Sequence, residues 1–252
     1  MKFDPYNISK RPIAYFDLDL TCFFDKEGLD LYQEIKDSYN LSFSYYNQKV
    51  ICASVTGSDV EFLIPDSCPI SKPLFTHELF HLYIRTCGIN NEKAFRESAL
   101  KYDLYDILDI SEDNFIAMYN FLDHIIFFQD FKNCGYKDNE FVADYYENRY
   151  NKDIEAYIWY KFKDNIPDDY AICFYISKYI GLRSPVSSIR DYSKAYKKMK
   201  DLSPGLFAVC KGFVDKYQIM ANEDYAIIAR QYTDIIDSFI LELKKLLSTT
   251  RS

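Results

Sequence analysis

One segment restricts the folds open to this chain more than any other. Between Asn114 and Phe131 nearly every side chain is apolar, and Phe115, Met118, Phe121, Leu122, Ile125 and Phe128 are spread around all sides of a helix. A helix with no polar face is buried all round, so this one belongs at the centre of a core. Its few polar residues then need partners inside the protein. Asn120, Asp123 and His124 stand at i, i+3 and i+4, which places them on one narrow stripe. The segment is not read as a membrane span, because nowhere does the chain offer the 18 or so consecutive apolar residues that a span requires. The nearest run, Tyr170 to Ile176, is interrupted by Ser177 and Lys178.

With 252 residues, 48% of them hydrophobic, the chain can bury one large core or two small ones. Strand signals are confined to the first 70 residues. Ile13 to Phe16 is a short candidate, and Leu29, Tyr32, Ile35 and Tyr39 then recur at helical spacing. Leu41, Phe43 and Tyr45 alternate with polar residues, and the β-branched runs Val50 to Val55 and Val60 to Ile64 flank the turn Thr56-Gly57-Ser58-Asp59. A helix from Lys72 to Cys87 follows, with Ser71 as its cap, Pro73 in its first turn and Gly88 as its stop. Beyond Asn90 the pattern is helical, including Asn114 to Phe131, Tyr146 to Phe162 and a long last helix. That last helix starts near Asn222 and carries the stripe Ile228, Tyr232, Ile235, Phe239 and Leu243. The expected fold is α+β: a small N-terminal antiparallel sheet packed on the helix 72–87, with a large helical C-terminal body. Residues 1–135 form the core unit and 136–252 the helical region, packed together as one unit.

A net charge of -8 argues against a general nucleic-acid binder, since phosphate contacts need clustered cations. The 24 tyrosines and 20 phenylalanines are scattered among the other residues and read as core packing. One basic stretch stands out, with Arg183, Arg190, Lys194, Lys197, Lys198 and Lys200 against Asp191 alone. It is either a solvated helix face or a patch for an acidic partner. Seven cysteines leave one over in any disulfide scheme and form no CxxC pair, which fits a reducing compartment and a cytoplasmic protein. Met1 to Pro12 has charges and a proline where a secretory segment needs an apolar run.

The helix 72–87 contains His77-Glu78-Leu79-Phe80-His81, the HExxH spacing. Positions four apart project from nearly the same helix face, so His77 and His81 can offer ring nitrogens to one Zn²⁺ at about 2.0–2.1 Å. Glu78 is rotated by about 100° from His77. It flanks such an ion without coordinating it, and can take a proton from water activated there. A third ligand is needed. Asp123 and His124 on the apolar helix are the candidates, His124 reaching further and the other residue then orienting a ligand. Glu92 and Glu97 are outlying candidates, Cys87 could bind as a thiolate, and Tyr83, Tyr119 and Tyr145 could donate to an oxyanion.

Through His77, Glu78 and His81, the strand Val60 to Ile64 and the helix bearing Asp123, the chain resembles the HExxH zinc metallopeptidases, the zincins. More loosely it is similar to the ImmA/IrrE-like intracellular group. The longer HExxHxxGxxH pattern is not met, since Ile84 and Cys87 occupy its glycine and third histidine positions. The resemblance implies a zinc-dependent metallopeptidase with Glu78 as the catalytic residue, acting on an intracellular protein. It also implies a carboxylate such as Asp123 as third ligand, and a sheet edge at Val60, Phe62 and Ile64 to which an extended substrate adds as a strand. The alternative is a non-catalytic protein: either an interaction module in which zinc is structural, or a helical scaffold that binds a protein partner through the basic stretch.

Overall fold

Alternating β-branched and aromatic residues build a sheet between residues 40 and 65, as the pattern predicts. The computed structural model describes residues 10–13, 20–47, 51–66, 71–108, 111–142, 148–163, 167–185 and 190–250. The chain divides into two compact units, Met1–Thr86 with Gln129–Tyr145, and Cys87–Phe128 with Tyr146–Ser252. This division differs from the single boundary expected after residue 135, because the chain leaves the first unit and later returns to it.

The first unit contains β1 (Lys10–Pro12), α1 (Lys26–Ile35), β2 (Asn40–Tyr46), β3 (Cys52–Thr56), β4 (Asp59–Pro65) and α2 (Lys72–Thr86). Of the strand expected over 13–16, Ile13 lies just beyond β1 and the rest falls outside the described residues, as does Val50. The strand order is β1-β2-β4-β3. β1 pairs with β2 and β3 with β4 antiparallel, but β2 and β4 run parallel, with Phe43 opposite Phe62. The sheet is therefore mixed, which corrects the expected antiparallel one.

The position of β4 corrects a second expectation. It is hydrogen-bonded on both sides, so it is not an edge open to an added strand. Val60, Phe62 and Ile64 are core residues, 0%, 0% and 1% exposed. The physical reason lies in the hairpin. Gly57, at φ +62°, supplies the left-handed turn that joins β3 to β4. Alternation alone does not say which of two such strands inserts beside β2.

Aromatic packing then fixes α2 on the sheet. The Phe62 ring stacks on Phe43 at 5.2 Å and meets Phe75 of α2 at 6.0 Å, while Phe23 and Phe24 flank Phe75 at 5.2 and 5.6 Å. Helix α1 is capped by Asp25, whose Oδ1 accepts from the Gly28 N–H at 3.1 Å. It approaches α2 closely at Gly28, where a Cβ atom would stand 2.6 Å from Thr76 Oγ1.

The second unit is helical: α3 (Asn91–Lys101), α4 (Tyr105–Leu108), most of α5 (Glu112–Asn133), α6 (Lys152–Phe162), α7 (Asp169–Arg183), α8 (Ser193–Leu202), α9 (Pro204–Met220) and α10 (Tyr225–Thr250). The last turn of α5, from Gln129, belongs to the first unit. Phe213 of α9 stacks on Phe239 of α10 at 4.3 Å, and Phe95 of α3 closes the cluster at 5.9 and 6.1 Å. On α10 the buried stripe runs Ile228, Tyr232, Ile236, Phe239 and Leu243, with Ile235 at its margin. The whole is α+β, and no helix among the described residues is long and apolar enough to cross a membrane.

Candidate metal centre

Helix α2 holds the HExxH residues in its middle, where Phe75, Leu79 and Leu82 anchor it in the core. His77 is buried and His81 half-buried. Their Nε2 atoms stand 3.2 Å apart, and the ring planes cross at 71°. Two nitrogens each 2.0–2.1 Å from a tetrahedral zinc ion are separated by about 3.3 Å, so this pair fits the grip that a metal requires.

His77 sits against aromatic rings from the segment that returns to the first unit. Phe141 lies edge-on at 4.6 Å and Phe131 at 6.5 Å. Phe131 in turn packs on Phe141 at 4.9 Å and on Tyr136 at 4.8 Å. Burial, with the neighbouring His81 adding to it, holds the His77 imidazole well below its ordinary pKa. A neutral ring is the form that ligates a metal.

Glu78 faces β3. Its Oε2 accepts a hydrogen bond from the Ala53 N–H at 3.1 Å. Burial raises its pKa above the usual carboxylate value, against the opposing pull of His81 and of the Ala53 N–H. Nothing in the sequence marks Ala53 for this role, because the donor is a backbone group. Just behind His77, Thr76 Oγ1 lies 3.1 Å from the Tyr136 hydroxyl, which donates to both Asp25 carboxylate oxygens at 2.5 and 2.6 Å. Sequence spacing gives no sign of this link either, since Asp25, Thr76 and Tyr136 are far apart in the chain.

The two candidates for third ligand are separated by their surroundings. His124 is 3% exposed, flanked on α5 by Phe121 at 6.2 Å and Phe127 at 5.7 Å. It stands seven residues before Phe131 on one unbroken helix, hence on the same face. Ring nitrogens of His77, His81 and His124 all come within 4.8 Å of one another, a grouping that could hold a metal ion. No protein family, curated protein or solved structure matches this chain.

Asp123 is not part of that grouping. Its Oδ1 accepts from Asn91 Nδ2 at 2.7 Å, and Asn91 Oδ1 accepts from the Tyr217 hydroxyl at 2.6 Å. This buried chain of hydrogen bonds ties α3, α5 and α9 together. The outlying acids are engaged at the surface, Glu92 with Arg96 at 3.4 Å and Glu97 with Lys93 at 3.8 Å. Cys87, one residue past α2, is likewise outside the histidine grouping. Of the tyrosines, Tyr83 is half-buried on α2, Tyr119 packs on Phe115 at 5.9 Å, and Tyr145 lies outside the described residues.

Proposed function

We propose that this chain is a zinc-dependent peptidase in which His77, His81 and His124 hold the metal and Glu78 is the catalytic base. The observation that carries the reading is the 3.2 Å separation of the His77 and His81 Nε2 atoms, with a half-buried carboxylate on Glu78 beside them. Held by these three imidazoles, zinc would supply Lewis-acid chemistry, lowering the pKa of water and polarising a carbonyl. Everything else is done by the chain. Glu78 takes the proton from the attacking water and passes it to the departing amine. The Ala53 N–H occupies Oε2, so it fixes the carboxylate in place and leaves Oε1 to carry that proton. The aromatic wall of Phe131 and Phe141 excludes water from the far side of His77.

The substrate edge expected on β4 moves to β3 in this reading. Among the described residues β3 is the last strand of the sheet, and Ala53, whose N–H turns away from β4 towards Glu78, lies on its outer side. An extended peptide added beside β3 would pass the catalytic carboxylate.

The test is Glu78→Gln. Elemental analysis should find zinc retained in the variant, while cleavage of unfolded casein and of a mixed peptide library is lost. Less than about 0.2 zinc per wild-type chain, or cleavage that survives the substitution, would overturn the proposal.

A further inference from the structure

Two cavities in the helical unit share a wall and make one groove. The larger, of about 650 Å³, runs along α6 and α8 and is lined by Tyr150, Ala156, Trp159 and Leu202 with Lys152 and Lys198. The second, of about 460 Å³, continues from Tyr150 and Glu155 to Arg190, Tyr192 and Lys194. A compact ligand fills a single pocket of this size, whereas two joined end to end suit an extended chain.

Three features of the groove describe its occupant. Trp159 is 55% exposed at the groove, an apolar platform. The Tyr150 side chain, only 8% exposed, lines both cavities, and its buried hydroxyl has no hydrogen-bond partner among the described residues. A phenol in that position is left to donate to an incoming acceptor. The charges are uneven as well. Lys152, Arg190, Lys194 and Lys198 line the groove against Glu155, Asp191 and Asp201. Those acids are already engaged, Glu155 by Lys198, Asp201 by Lys197 at 2.6 Å, and Asp191 by the Ser193 N–H at 2.9 Å. With Lys198 paired to Glu155, a ligand meets Lys152, Arg190 and Lys194, one cation in excess over the lining acids, in a chain whose net charge is -8.

We propose that this groove binds an extended acidic peptide segment of a partner protein. One carboxylate of that segment accepts from the Tyr150 hydroxyl, and one apolar side chain lies against Trp159. The site is independent of the proposed zinc chemistry.

Trp159 is the chain's one tryptophan, so its emission reports on this groove alone. The full chain is titrated with end-capped Glu-Glu-Phe-Glu-Glu, with the matching Lys-Lys-Phe-Lys-Lys and Glu-Glu-Ser-Glu-Glu peptides, and with glutarate as a small dicarboxylate. The acidic phenylalanine peptide should give a saturable blue shift, with the serine peptide binding more weakly. Lys152→Glu with Lys194→Glu should weaken binding roughly tenfold. Tyr150→Phe should weaken it about fivefold, as the loss of one hydrogen bond does, while thermal stability holds or rises because an unsatisfied group is removed. Equal binding of the lysine peptide would overturn the proposal, and so would a full response to glutarate. So would a Tyr150→Phe chain that melts earlier yet binds the acidic peptide unchanged.

Discussion

The adjacent residues Asp123 and His124 divide two tasks that the sequence leaves undivided. Asp123 accepts from Asn91 inside the helical unit, and His124 joins the imidazole grouping. Zinc content is expected to fall sharply in His124→Ala and to persist in Asp123→Asn, with elemental analysis after dialysis as the measurement. The aspartate variant instead loses stability, by about 1–3 kcal/mol in a chemical denaturation curve, because one oxygen of a buried, hydrogen-bonded carboxyl is replaced by an NH2 donor. At this scale the sequence was legible where side-chain spacing on a helix decides geometry, as for His77, Glu78 and His81. It was silent on Ala53, whose contribution is an N–H that every residue but proline has. It was equally silent on Phe141 and Tyr136, because a ring's neighbours depend on where the chain returns.

Among the elements, α2 follows its sequence signals almost to the residue, Lys72–Thr86 against an expected Lys72 to Cys87. Its proline, its stop and its two histidines all act locally. The sheet does not follow so simply: the hairpin turn is encoded in Thr56-Gly57-Ser58-Asp59, but the parallel pairing of β2 with β4 depends on long-range choice. Two substitutions test the elements beside the site. Gly28→Ala places a methyl group 2.6 Å from Thr76 Oγ1, and α1 must shift away from α2. A loss of about 1–3 kcal/mol in thermal or denaturant unfolding is expected. Ala53→Pro removes the N–H that Glu78 accepts without breaking a rung of the β3–β4 ladder, since that N–H points elsewhere. The fold should survive by circular dichroism, and peptide cleavage should drop by at least about tenfold as the carboxylate loses its fixed position.

At the level of the molecule, the expected boundary at residue 135 fails to separate the units, because the first one is built from two stretches of chain. Composition and periodicity report where helices are, not which of them send a last turn into another unit, as α5 does. A chain cut after residue 135 lacks Tyr136, the donor to Asp25, and Phe141, the ring against His77. It is expected to unfold at lower denaturant concentration than the full chain and to retain less zinc, which equilibrium unfolding and metal analysis of the truncated protein would check. The same interrupted path has a consequence during translation. The stretch up to Thr86 leaves the ribosome well before the residues that complete its unit, so it waits with His77 not yet covered by Phe131 and Phe141. Nascent chains of this protein should therefore recruit holdase chaperones until synthesis has passed the returning segment, and then release them.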